Sequence, residues 1–123
     1  MYPGKGIPLY RASSGSAREP VWLTPGNGDP TIPSASSSIG VPVNPGCQTD
    51  VNVLFAAAPA GTAFNVMYDI NPTFANEYIL EAIAATADTL YTFTTQNIRL
   101  SGFIRITNAG GQDINGAWLQ QTV

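Results

Sequence analysis

Glu77 and Glu81 are the one close pair of carboxylates in the chain, and paired carboxylates are what general acid–base work needs. On a helix, positions four apart would bring them to about 6 Å, near the separation glycoside hydrolysis uses. On a strand the same pair shares a face but stands about 13 Å apart, with no cleft between. The other chemical candidates are thinner. There is no histidine, which removes imidazole-based nucleophilic catalysis and imidazole zinc sites. Cys47, the only cysteine, lies in "NPGCQTD" without a base to activate it, and no intrachain disulfide can form. "DIN" at 69–71 lacks the further ligands and the glycine of a calcium loop, and "GKG" at 4–6 lacks the length of a phosphate-binding loop. The residues therefore predict no enzyme, no metal and no cofactor.

Aromatic chemistry is the other possibility. Trp22, Trp118, Tyr68, Tyr78 and Tyr91 can form a platform for sugar rings, although core packing accounts for the same residues more simply. The side of its strand on which Trp118 falls is left open by its neighbours Asn115 and Gln120. Arg99 and Arg105 are the basic residues of the rear of the chain. Arg105 alternates with Ile104 and Ile106, which predicts it on the opposite face, paired with a carboxylate across the sheet or on a neighbouring subunit.

The elements that carry these residues divide sharply. From Met1 to about Gly46 the chain contains Pro3, Pro8, Pro20, Pro25, Pro30, Pro33, Pro42 and Pro45, with "SSGS", "SASSS" and the turn-rich "TPGNGDP". Proline cannot continue a helix or donate to a central ladder, so residues 1–48 read as a long extended N-terminal arm. Its apolar residues, including Tyr2, Ile7, Leu9, Tyr10, Val21, Trp22, Leu23, Ile32, Ile39, Val41 and Val43, are irregularly spaced. They suit pockets on a surface the arm crosses better than one another. "VWLT" also reads as a short edge strand added to the body.

Residues 49–123 read as a body of strands. "TAFNVMYDI" places Phe64, Val66, Tyr68 and Ile70 on one side and Asn65, Met67 and Asp69 on the other. "DVNVLFAA" gives Val51, Val53 and Phe55 one face, with "APAG" as the turn between the two runs. The stretch from 74 to 86 fits either a helix, capped by Thr73, or strands. Strands are favoured, as "YILEAIA", a turn at "ATADT" and a returning "LYTFTT", because a lone short helix is marginal without a groove. "NIRLSGFIRIT", with a bend or bulge at Gly102, and "INGAWLQQTV" complete about six strands. Turns every 8–12 residues predict an all-β fold with a compact antiparallel sandwich or jelly-roll-like body.

Composition limits the partners. Charged residues make up 11% of the 123, well below the roughly 25% of an average soluble domain. A net charge of −3 argues against nucleic acid, which needs clustered cations. The front is mildly basic, with Lys5, Arg11 and Arg18 against Glu19 and Asp29. The rear is acidic, with Asp50, Asp69, Glu77, Glu81, Asp88 and Asp113 against Arg99 and Arg105. A basic extension is attracted to an acidic neighbour, including a second copy of the body. "MYPGKGIPLYRAS" lacks the apolar run of a signal peptide, and no run approaches the roughly 20 apolar residues of a membrane span.

The stretches "FNVMYDINPTF" and "LYTFTTQNIRLSGFIRITNAGGQDINGAWLQQTV", covering most of 62–123, resemble small all-β structural proteins of tailed bacteriophages, in particular head decoration or cement proteins. The likeness lies in the succession of a strand ending in a polar turn, a hairpin, an "IR" strand, a Gly-rich turn and a final Gln- and Leu-rich strand. It implies a virion protein made in the host cytoplasm that sits on the capsid surface. Its partners would be the major capsid protein and further copies of itself. In that setting Tyr2, Tyr10, Val21 and Trp22 would anchor the arm, and Lys5, Arg11 and Arg18 would meet acidic patches. The rival expectations are a carbohydrate- or receptor-binding module of a fibre or tail, and a neck or tail connector.

Overall fold

Alternation of buried and exposed residues runs through the long strands and decides which side of each faces inward. A computed structural model of the chain describes residues 19–24, 31–95 and 101–122. The described residues form eight strands and no helix: β1 (Val21–Trp22), β2 (Val41–Val43), β3 (Gln48–Phe55), β4 (Thr62–Asp69), β5 (Tyr78–Ala84), β6 (Leu90–Thr95), β7 (Gly102–Asn108) and β8 (Ile114–Thr122). They make two four-stranded sheets, the first in the order β1-β8-β3-β6 and the second in the order β2-β7-β4-β5. Every pairing is antiparallel. β1 pairs with β8, β2 with β7, β3 with β6 and β4 with β5, as in one long hairpin folded back on itself. The further pairs β3–β8 and β4–β7 close each sheet.

Both sheets contribute to one apolar core. Val51, Val53 and Phe55 of β3, Tyr91 of β6, and Ala117 and Leu119 of β8 cluster with Phe64 and Val66 of β4 and Ile104 and Ile106 of β7. Three rings bind the layers together. Phe64 of the second sheet stands 6.3 Å from Phe55 and 6.1 Å from Tyr91 of the first, and Phe55 and Tyr91 are 5.7 Å apart. Edge-on and tilted contacts of this kind add to the burial itself.

The described part of the Pro-rich front belongs to this core. Leu23, Ile32, Val41 and Val43 are buried within it. Ile32 exchanges two backbone hydrogen bonds of 2.9 Å with Ile114, and Ser38 donates its N–H to the carbonyl of Ile106 at 2.8 Å. β2 reads "VPV" with Val41 and Val43 inward and Pro42 outward, a position where the sheet edge tolerates a missing N–H. Over residues 19–24 and 31–48 the front of the chain is thus part of the sandwich-like body. Residues 1–18 and 25–30 of the expected arm lie outside the described residues.

The stretch from 74 to 86 contains a strand, β5, as favoured from the sequence. In two places the alternation misleads. Ile70 is 66% exposed, because β4 ends at Asp69 and Ile70 leaves the sheet. Met67 and Asp69, expected on the polar side, are buried, for the β4–β5 loop folds over the outer face of the second sheet. Gly102 marks a close approach rather than a bulge: a Cβ there would lie 2.5 Å from the ring of Tyr68, whose hydroxyl donates to the Ser101 carbonyl at 2.8 Å.

Candidate functional site

The two outer faces of the body are built differently, and the difference starts in the β4–β5 loop. Asp69 closes β4 and organises that loop. One carboxylate oxygen accepts the N–H of Asn71 at 3.0 Å, and the other accepts the N–H of Asn76 at 2.9 Å. Between these anchors Phe74 adopts a left-handed backbone, φ 55°, which a bulky side chain rarely takes without compensation. The compensation is burial: Phe74 packs where Gly40 has no side chain, since a Cβ there would run into its ring. The Arg105 guanidinium lies 4.5 Å from the centre of the same ring, and its Nη2 and Nε both donate to Glu77 Oε1, at 3.0 and 3.1 Å. The expected outward projection and carboxylate partner of Arg105 are both present. Glu77 is therefore engaged in holding the loop, and Glu81 stands on a strand rather than a turn of helix away.

The hydrogen bond from Asn71, opposed in part by burial and helped by the N–H groups of Asn76 and Ile70, holds the Asp69 carboxyl below the ordinary value of 3.8. A carboxyl depressed in the folded state stabilises fully above its unfolded pKa, and that contribution disappears as pH falls through the folded value. Urea midpoints measured from about pH 6 to about pH 2.5 should therefore fall below the ordinary aspartate range in the native protein. The acid-dependent fall should be shallower in Asp69→Asn.

The outer face of the first sheet carries no such covering loop among the described residues. Its side chains stand in cross-strand rows. Trp22 of β1 lies opposite Trp118 of β8, which lies opposite Asn52 of β3, itself opposite Thr92 of β6. The adjoining row runs Gln120, Asp50, Thr94. The indoles are 5.6 Å apart and tilted by 55°, with Trp22 38% exposed and Trp118 half-buried. Thr92 donates to Asn52 Oδ1 at 2.8 Å and Thr94 to Asp50 Oδ1 at 2.6 Å. Trp118 is thus on the outer face, against the expectation of core packing, whereas Tyr91 is a core residue as expected. The signal for Trp118 was its parity with Gln120 and Thr122 and its opposition to Ala117 and Leu119.

The edges differ as well. β5 and β6 each lack a strand partner on their outer side among the described residues. Near them Tyr78, Ile79, Leu54 and Leu90 are exposed, the last two facing each other across β3 and β6. At the opposite edges, Glu19, Val21, Pro42, Asn44, Leu119 and Gln121 line an open groove of about 330 Å³. Of the residues expected to form an interface, Val21 lies on this groove and Trp22 beside Trp118. Tyr2, Lys5, Tyr10, Arg11 and Arg18 lie outside the described residues. Cys47 is buried with its thiol free, and the described residues hold no cluster of three His, Cys, Asp or Glu side chains able to hold a metal. No described helix is long and apolar enough to cross a membrane.

No protein-family model matches the chain, and no curated protein is detectably similar to it.

Proposed function

We propose that this chain is a structural protein of a tailed-bacteriophage virion, a decoration or cement protein that binds the outer shell and stabilises junctions between capsomers. The supporting strand order pairs 1 with 8, 2 with 7, 3 with 6 and 4 with 5. We read this nested pairing as the winding of an eight-stranded jelly roll, an architecture that recurs in viral capsid and lectin domains. The reading gives the body and the leading segment separate tasks. The edges of β5 and β6, unpaired among the described residues and with Tyr78, Ile79 and Leu90 exposed beside them, serve contacts between copies of the body.

The observation that carries the reading is the segregation of charge. Residues 1–18 contain Lys5, Arg11 and Arg18 and no carboxylate. Among the described residues Arg105 is the one basic side chain, and it is already paired with Glu77. A cationic leader joined to an acidic body at a sheet edge suits attachment to acidic neighbours, namely the major capsid protein, with the body left free to meet its own kind.

Removing residues 1–18 should abolish co-sedimentation with purified heads assembled without this protein, while the thermal unfolding of the truncated chain stays close to that of the full one. Full occupancy of heads by the truncated protein would overturn the role given to the leader. Retention on tails but not on heads would assign the chain to a connector instead.

A further inference from the structure

We propose that the outer face of the first sheet is a carbohydrate-binding platform for a neutral, hexose-based oligosaccharide, a site separate from the leader and independent of the capsid role. The platform begins with Trp22 and Trp118, held 5.6 Å apart on adjacent strands, each fixed in position by the β1–β8 pairing. Gly116, two residues before Trp118 on the same side of β8, is buried beneath the edges of both rings. A Cβ at that position would meet nothing nearer than the indole edges, at 3.9 Å from Trp22 and 4.0 Å from Trp118. The apolar C–H face of a pyranose stacks on such rings, as aromatic side chains with one wet face allow.

Stacking alone does not select a sugar, and the next two rows supply the polar contacts. Asn52 is the cross-strand neighbour of Trp118, and Asp50 follows on the same face of β3. Each is held by one oxygen only, through Thr92 and Thr94. The threonines orient the two side chains before any ligand arrives. They leave the amide group of Asn52 as a donor and the second carboxylate oxygen of Asp50 as an acceptor, without partners among the described residues. Sugar hydroxyls both donate and accept, so a fixed donor and a fixed acceptor beside an aromatic plane are a fitting complement. From Trp22 to Asn52 the rows cross three strands, a span of about 10 Å. That accommodates an oligosaccharide rather than a single ring.

Charge fixes the class of sugar. Asp50 is the charged side chain in these rows, and the one basic side chain among the described residues, Arg105, belongs to the other sheet. Uronate or sialate groups would meet a carboxylate that no cation among the described residues offsets, whereas neutral hexoses meet no such repulsion.

The test uses the full chain on an array of immobilised neutral oligosaccharides built from glucose, galactose, mannose or N-acetylglucosamine, with sialylated and uronate-containing ones alongside. The best neutral binder is then titrated against intrinsic tryptophan fluorescence. Neutral oligosaccharides should be retained and the acidic ones not. Trp22→Ala and Asn52→Leu should each weaken binding by at least tenfold, and Ile70→Ala, exposed just after β4 of the other sheet, should leave it unchanged. Gly116→Gln, which forces a side chain against both ring edges and so displaces the indoles without removing them, should weaken binding comparably and covers the case in which a tryptophan variant fails to fold. Absence of any retained neutral oligosaccharide at millimolar concentration would overturn the proposal. So would preference for the acidic sugars, or binding unmoved by Trp22→Ala, Asn52→Leu and Gly116→Gln together. Head binding by the same variants, measured in parallel, separates a failure here from a failure of the capsid role.

Discussion

Phe64→Ala should cost about 3–5 kcal/mol, the range for removing a large aromatic from a packed interior. Phe64 is fully buried, and its ring meets Phe55 and Tyr91 of the facing sheet. The substitution therefore removes ring contacts that join the layers and leaves a cavity in the core they share. Small domains hold roughly 5–15 kcal/mol in total, so the loss is a large share of what keeps the chain folded. With a urea slope of roughly 2 kcal/mol per molar, the midpoint should fall by about 2 M. A shift below about 0.5 M would mean that the sheets are held mainly by something other than this aromatic trio. Phe64→Leu, which keeps most of the apolar volume, should lose much less.

Asn108→Leu should cost about 2–4 kcal/mol although it removes no apolar contact. Asn108 is fully buried at the end of β7. Its amide donates to the carbonyls of Gln112 at 2.7 Å and Ile32 at 3.1 Å, and its oxygen accepts the N–H of Gly110 at 3.2 Å. Its backbone meets Ser36 and Ala35 as well. One side chain thus fastens the β7–β8 turn to the segment that leads into β2. Leucine has similar bulk but leaves the Gly110 N–H and the Gln112 carbonyl without partners, and burial makes such orphans costly. Amide exchange at Gly110 and Ile114 should accelerate well before global unfolding. Unchanged protection at both would show that the turn holds without the side chain.

Most of the body was legible in the sequence because period-two patterning needs only a few residues to declare itself. Val51, Val53 and Phe55, then Phe64 and Val66, then Ile104 and Ile106, all face the core as their spacing requires. "YILEAIA" forms a strand although its composition suits a helix, since β4 offers it a ladder. The front was hard to read for the opposite reason. Leu23, Ile32, Val41 and Val43 enter the core singly or across one proline, in pieces too short to show a period. Ile32 is fixed by an isolated bridge to Ile114, a contact that depends on where β8 lies and leaves no trace in local spacing. Asn108 was equally hidden. Within "NAGGQD" it looks like any turn residue, and only the closed fold reveals which carbonyls it serves.

The candidate platform was partly legible. Trp22 and Trp118 stood out as aromatic residues, the side of Trp118 being open, but their pairing required knowing that β1 meets β8. Asn52 carried no signal and Asp50 counted only toward the acidic rear, because outward polar residues on a strand are the ordinary state of a half-buried sheet. What sets them apart is the threonine beside each, on a strand some forty residues later in the chain.

The nested pairing also dictates an order of birth. β8 is an interior strand of its sheet, lying between β1 and β3, yet it is the last of the eight to be synthesised. While a ribosome is still extending the chain, β4 and β5 can form their ladder, but the first sheet has a gap at its centre. Val51 and Val53 lack a neighbour on that side until Leu119 and Ala117 emerge. Closing the widest ring, from β1 to β8, then demands the greatest loss of chain freedom. A nascent copy therefore keeps its first sheet open until β8 emerges, and only then can the two layers close over a shared core.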